Sequence, residues 1–428
     1  MAKLELLEEK IKNGSVNALV DLYGSNDAGL KKQAARYLGL LSHFRDSFGN
    51  REVELFSSPG RTEIGGNHTD HNHGRVLAGA VNLDNIAVAA INNSETIRIE
   101  STGYKRFDVD LNRLQPDKKE LFTSAALVRG ICSRLKEAGF TIGGFDACID
   151  GGVPVGSGLS SSASFEVLAG TIISHLFNNG RVDPLLNAIT GQYAENIYFG
   201  KPCGLMDQTA CAMGGLIAID FREPADPVVK KINFDFSSTG FALVITDTGG
   251  NHADLNEDYA SLPTDMKNVA SRLGAKVLRD VTLGQVLEIA PVIRQKVGDR
   301  AILRSIHFHN DNQRVVDQVK ALEKNDFKAF LKMVVDSGYS SFMYNQNIYP
   351  ASNVREQGVS LALALSEIVL KDRGAWRVHG GGFAGTIQAF VPGELLPDYI
   401  STLEHVFGTG ACRQLVIRDQ GACRVDPS

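Results

Sequence analysis

The chain has 428 residues, 43% hydrophobic and 22% charged, with a net charge of −5. That balance suits a folded protein with large cores in two or three domains, and it excludes a general attraction to nucleic acid or anionic membranes. No apolar run is long enough to span a bilayer, and the charged start Met1–Lys10 lacks a signal-peptide pattern. Residues 1–50 read as a helical extension. Leu4, Leu6, Leu7 and Ile11 recur at near-helical spacing, Gly24-Ser25-Asn26-Asp27 is a break, and Leu30, Ala34, Leu38 and Leu41 stripe a second segment over 28–44. Val53–Ser57 then reads as a strand, ended by a turn at Pro59-Gly60. Further strands are predicted over 86–91, 215–220, 241–246 and 386–391. Helices are predicted over 124–138, 161–177, 311–324 and 359–370, so the mixture is α+β or α/β. The proline-bearing stretch Phe221–Pro227 is a candidate boundary between domains.

The six cysteines, at 132, 148, 203, 211, 412 and 423, form no CxxC pair. Free buried thiols in a reducing cytoplasm are expected rather than disulfides or a zinc knuckle.

Four segments carry the chemistry. The first is Ser58-Pro-Gly-Arg61 through Asn67-His68-Thr-Asp70-His-Asn-His73-Gly74, which crowds polar and charged groups after a strand. Such a cluster suits a polyhydroxylated ligand, with Arg61 available to a phosphoryl group. Its histidines match no familiar zinc spacing.

The second segment is Gly151-Gly-Val-Pro-Val-Gly-Ser-Gly-Leu-Ser-Ser-Ser-Ala-Ser164, a glycine-rich loop opening a helix with Phe165, Leu168, Ile172 and Leu176 on one stripe. Unpaired amides and the positive end of the helix dipole suit phosphate there, and the serines add hydroxyls for phosphate or Mg²⁺. The loop is neither GxxxxGK[ST] nor GxGxxG. The third segment places Glu195 in a helical stretch and Asp207 at a bend, a pair able to divide metal binding from orientation of a hydroxyl. The fourth is Arg377-Val-His-Gly-Gly-Gly-Phe-Ala-Gly385, glycine-rich and followed by a strand.

Together these segments resemble the GHMP small-molecule kinases, and among them the galactokinases. Residues 59–70 are similar to the galactokinase signature GRVNLIGEHTD, and residues 154–164 resemble the superfamily's ATP motif. Cys203–Gln208 looks like the segment bearing the catalytic aspartate, and 377–385 like the third, C-terminal motif. The order and spacing agree from about residue 36 to the end.

The resemblance implies a two-domain α+β fold: an N-terminal α/β domain over 51–222 and a ferredoxin-like C-terminal domain over 223–428, behind the extension. It implies ATP and Mg²⁺ as cofactors and phosphorylation of the C1 hydroxyl of galactose. Asp207 and Arg61 would be catalytic. Arg61, Asn67, His68, Asp70, Gly204, Asp207 and Tyr259 would contact sugar. Gly156, Ser157, Gly158, Leu159, Ser160, Ser161, Ser162, Ala163, Ser164, Gly381 and Gly382, supported by Gly385, would line the ATP site. Ser161, Ser162 and Glu195 would hold the metal. Sugar and ATP are the implied partners of a cytoplasmic monomer or weak dimer, without nucleic acid or membrane.

The signature departs at four places: Asn67 replaces glutamate, Glu63 replaces asparagine, His71 replaces tyrosine, and Ala78-Gly79 replaces Pro-Met. These departures touch the sugar's identity, so galacturonate, N-acetylgalactosamine and arabinose stand as alternatives to galactose. A non-catalytic galactose-sensing regulator is the reading from another class. The complete loop Leu159–Ser164 speaks against it.

Overall fold

The computed structural model describes residues 2–14, 17–24, 26–154, 156–250 and 255–426. The chain opens with strand β1 (Ala2–Lys3) and helices α1 (Leu4–Lys12), α2 (Asn17–Tyr23) and α3 (Asp27–Phe48). The Asn26 side chain accepts from the amides of Ala28 and Gly29 and so fixes where α3 begins. Then come β2 (Glu52–Gly65), β3 (Arg75–Ile91), β4 (Thr96–Ser101), β5 (Phe107–Asp110), α4 (Ser124–Glu137) and β6 (Phe145–Gly151). Helices α5 (Ser161–Asn178), α6 (Pro184–Ala194) and α7 (Met206–Met213) lead to the hairpin β7 (Leu216–Asp220) and β8 (Val228–Ile232). The remainder is β9 (Phe241–Asp247), α8 (Asn256–Arg272), α9 (Leu283–Val297), α10 (Asp299–Glu323), α11 (Phe327–Ser340), α12 (Gly358–Leu370), β10 (Ala375–Val378), β11 (Thr386–Pro392), α13 (Leu396–Phe407), β12 (Cys412–Leu415) and β13 (Cys423–Val425).

Among the described residues nine strands form one sheet, in which β1, β2, β3, β6, β4 and β5 lie side by side. β13 pairs with β2, and the β7–β8 hairpin pairs with β3. All pairings are antiparallel except β4 with β6. The side-chain period of two splits these strands between two cores. Phe56, Ala87, Ala89, Ala147 and Ile149 face α4 and α5. Val53, Leu55, Ile86, Val88, Ala90 and Cys148 face the opposite way, onto Leu7, Leu22, Tyr37, Leu41 and Phe44 of α1–α3. The N-terminal helices therefore complete a helix–sheet–helix sandwich.

The second sheet has the order β10-β11-β9-β12, the ferredoxin-like arrangement, with long helical excursions between β9 and β10. One face packs on α12 and α13 and the other on α10 and α11. No described helix is long and apolar enough to cross a membrane.

Several expectations change. Pro59-Gly60 is no turn: β2 continues through it to Gly65, and its pairing with β3 jumps from Pro59–Asp84 to Arg61–Ala80. The extra residues of this bulge, 81–83, lean onto the C-terminal segment through Val81–Ile417 and Asn82–Val416 contacts. Helix α5 is not one-faced; Ala163, Ser164, Glu166, Val167, Ala169 and Gly170 are buried beside Leu168 and Ile172, because helices and sheet enclose it. The buried face of α3 is Tyr37, Leu40, Leu41 and Phe44, and Leu30, Ala34 and Leu38 pack only at its margin. The helix expected over 311–324 is the second half of α10. Residues 221–227 turn the β7–β8 hairpin, so the expected division at 222/223 falls inside the first sheet.

Candidate active site

The site is built where β2, the loop into α5 and the start of α7 meet. Gly60 lets the loop approach: a Cβ there would lie 2.8 Å from the Leu159 carbonyl oxygen and 3.0 Å from Val153. The Arg61 amide donates to that same carbonyl at 3.0 Å. The Arg61 guanidinium then forks onto Asp207, with Nε to Oδ1 at 2.7 Å and Nη2 to Oδ2 at 2.8 Å, while Nη1 donates to the Gly158 carbonyl. Asp207 lies in the first turn of α7, where the helix dipole favours an anion. The hydroxyl of Ser160 also donates to Asp207 Oδ2.

Burial by itself would raise the Asp207 pKa. The Arg61 charge and hydrogen bonds, helped by Ser160, outweigh it and hold the carboxyl below its usual range. One third of the Asp207 side chain remains open to solvent. The group is thus ionised, fixed on one side and accessible on the other.

Within the loop, Gly156 and Gly158 have φ of +78° and +71°. Gly158 has His379 Nδ1 and Thr386 Oγ1 each 3.0 Å from where a Cβ would stand. Ser160 is left-handed and leads into α5, whose first residues Ser161 and Ser162 are half-buried and exposed. Leu159, Ala163 and Ser164 face inward instead. The Ser164 hydroxyl donates to the Ser58 carbonyl and accepts from Asn85, so it ties α5 to the sheet. Val155 lies outside the described residues.

Glu195, 3% exposed, begins a π-turn at the end of α6. One amide, Gln208 Nε2, donates both to its Oε2 at 3.0 Å and to Glu166 Oε2 at 2.9 Å. Lys201 Nζ stands 3.7 Å from Glu195. Burial pushes both glutamates upward, and each feels neighbouring negative charge. Glu166 Oε1 is buried with no hydrogen-bond partner. Among the described residues no three or more His, Cys, Asp or Glu side chains form a metal cage. A magnesium ion needs none, since it is held through one or two carboxylates plus phosphates and water. This acidic corner beside the loop fits that kind of ion.

The sugar-signature residues are gathered less evenly. Asp70 and Gly204 are in contact, because a Cβ on Gly204 would overlap Asp70 Oδ2. His68 Nε2 bonds the Gly381 carbonyl at 2.9 Å, and the Tyr259 hydroxyl donates to the Gly382 carbonyl at 3.0 Å. Burial and the nearby His71 push the His68 pKa down to about 4, so its ring is neutral at pH 7. Asn67 is fully buried. Its amide nitrogen donates to Glu63 Oε1 at 3.0 Å and to the Gly380 carbonyl at 2.8 Å, and its oxygen accepts from Asn347 at 2.9 Å. The structure therefore places Asn67 as a joint between β2 and the C-terminal glycine loop.

Gly381 and Gly382 turn toward Tyr259 and Asn347, and it is Gly380 that approaches Gly158. Three further groups were not anticipated from sequence: the Glu166–Gln208 link, buried His379, and the Glu63–Arg377 ion pair at 2.6 Å. Glu166 did leave a signal, as the one charged residue in the otherwise uncharged run Ala163–Gly170.

Comparison with known proteins finds two family models and several solved structures. A model of the GHMP kinase N-terminal domain matches residues 126–215, and a model of the galactokinase galactose-binding signature matches residues 42–91. Lactococcus lactis galactokinase, solved with galactose, superposes with a TM-score of 0.75 at 24% identity, covering 89% of this chain and 97% of that one. Methanococcus jannaschii mevalonate kinase gives 0.59 at 14% identity, covering 86% and 98%. Streptococcus pneumoniae phosphomevalonate kinase, solved with phosphomevalonate and AMPPNP, gives 0.58 at 15%, covering 87% and 99%. The structural likenesses establish the two-domain fold, and the two sequence models cover the strand that carries Arg61 and the loop and helix that lead to Asp207. Residues 126–215 thus match the GHMP kinase N-terminal domain and residues 42–91 the galactokinase galactose-binding signature, on a chain whose fold is that of these kinases.

Proposed function

We propose that this enzyme transfers the γ-phosphoryl group of ATP to the C1 hydroxyl of galactose. ATP use goes with the family. The observation that carries the reading is the Arg61–Asp207 fork bonded at once to the Gly158 carbonyl and the Ser160 hydroxyl. It sets an ionised carboxylate at the mouth of an amide-lined loop. The sugar would lie over Asp70, His68, Gly204 and Tyr259, with its C1 oxygen toward Asp207.

In this reading the Gly156–Ser162 stretch cradles the phosphates, and Arg61 balances charge on both Asp207 and the group in flight. Ser161 or Ser162 together with Glu195 would hold magnesium, which when bound neutralises phosphate charge. Asp207 is a weak base, because its pKa lies low. Its main contribution is to orient the hydroxyl and to receive the proton as the O–P bond forms and ADP departs.

Asp207→Asn keeps the shape and removes the acceptor charge. We expect kcat to fall by roughly 10²–10⁴-fold while ATP binding persists. Coupled ADP release measures the first and direct titration of ATP the second. Near-normal turnover in the purified variant would remove Asp207 from the mechanism.

A second reading, a C6-modified sugar such as galacturonate, is favoured by one observation: position 67 carries an amide, and the nearby Glu63 is occupied by Arg377. A panel of galactose, galacturonate, N-acetylgalactosamine and arabinose decides between them by kcat/KM.

A further inference from the structure

The galactokinase signature match begins at residue 42, so Tyr23 and Arg36 precede it. Both reach across from the N-terminal helices to a single buried aspartate, Asp84 of β3. The Tyr23 hydroxyl donates to Asp84 Oδ2 at 2.5 Å. Arg36 donates through Nη1 to Asp84 Oδ1 at 2.9 Å, through Nη2 to the Asp84 carbonyl at 3.2 Å and through Nε to Asp150 Oδ2 at 2.9 Å. Arg418 and Ser57 complete the shell around Asp84.

These contacts lie at the root of the nucleotide loop. Asp150 is the penultimate residue of β6. The Gly152 amide donates to the Asp84 carbonyl at 2.9 Å. A Cβ on Gly152 would meet that oxygen at 2.5 Å and Arg36 Nη2 at 2.8 Å. The next residue along β3, Asn85, donates to the Ser161 carbonyl and the Ser164 hydroxyl, which fixes the first turn of α5. Both ends of the 152–160 loop thus depend on the pair Asp84–Asn85, and Arg36 locks that pair from outside.

We propose that Arg36 is a positioning residue for the nucleotide: the N-terminal helical layer, through Arg36, sets the geometry of the loop that takes ATP. Arg36 does not touch the reacting atoms. It acts through Asp84, Asp150 and Gly152. The proposal rests on the reading of residues 152–162 as the nucleotide site.

The test is Arg36→Ala in the full chain, with ATP binding titrated directly and initial rates measured against both substrates. Loss of charge-assisted hydrogen bonds at the loop's root should raise Kd and KM for ATP together by about five- to tenfold, with KM for sugar and kcat within about twofold of wild type. Arg36→Lys, which keeps the charge and part of the bonding, should recover part of the loss, and it serves as the test if the alanine variant does not fold. Arg45→Ala is the control. It breaks a contact with Glu8 inside the layer, away from the loop, and should lower thermal stability while leaving KM for ATP unchanged.

Unchanged ATP binding in Arg36→Ala would overturn the proposal, as would equal rises in both KM values or an equal effect from Arg45→Ala. Failure of the wild-type enzyme to bind ATP would overturn the reading of the site itself, a different outcome.

Discussion

Glu63 and Asn67 show how two departures from a family pattern resolve into one contact. The signature places an amide at 63 and a carboxylate at 67; here the carboxylate is at 63 and the amide at 67, and the two side chains bond each other at 3.0 Å. The relocated charge meets Arg377 at 2.6 Å, with the arginine fully buried. Arg377 also donates to the carbonyls of Ile64 and Val378. Removing one partner of such a pair leaves an uncompensated buried charge. Arg377→Met should therefore destabilise the fold by roughly 3–5 kcal/mol, and adding Glu63→Gln should restore much of the loss. Chemical denaturation of the two variants checks both statements. The departures were visible in the sequence, but their partnership was not, since residue 377 lies more than three hundred positions away.

At the scale of elements, the loop into α5 was legible because glycines and serines in that density have few other uses. The strand β11 was expected over 386–391, but its approach to this loop was not legible. Gly158 has φ +71° and faces His379 and Thr386, whereas Gly156 has φ +78° and open space. Gly156→Ala meets backbone strain alone, and Gly158→Ala meets strain plus contact with a buried wall. We expect Gly158→Ala to raise KM for ATP by about tenfold or more and Gly156→Ala by clearly less, as measured by initial rates. Equal effects would mean that the C-terminal hairpin does not shape the loop.

The strand through Pro59-Gly60 is hidden in the sequence for a related reason. Proline and glycine ordinarily mark turns, but here they sit where β2 passes a bulge in β3, so the glycine serves close approach to Leu159 rather than chain reversal. The shape of α5 escaped the sequence for the same reason. Periodicity finds one buried face, and only the assembled helices and sheet reveal that the helix is enclosed on the others.

For the molecule as a whole, the unexpected feature is what the first 48 residues do. Strands β2, β3 and β6 are apolar on both faces, and a sheet of that kind must be covered twice. The sequence showed the helices and parts of β2 and β3, though not β6, and it gave no sign that one layer covers the other. Leu6 and Leu41 make the point testable, because both lie on stripes drawn from helical spacing. Leu6 is 47% exposed, whereas Leu41 is fully buried among Leu7, Val53, Val88 and their neighbours. Leu41→Ala should cost roughly 2–5 kcal/mol through lost burial and a residual cavity, and Leu6→Ala should stay within about 0.5 kcal/mol. Denaturant midpoints with unchanged slopes measure both. A layer that merely rested on the sheet would leave the two variants alike. A layer that forms its second core separates them, and only in that case does Arg36 sit on a support rigid enough to aim the loop beneath it.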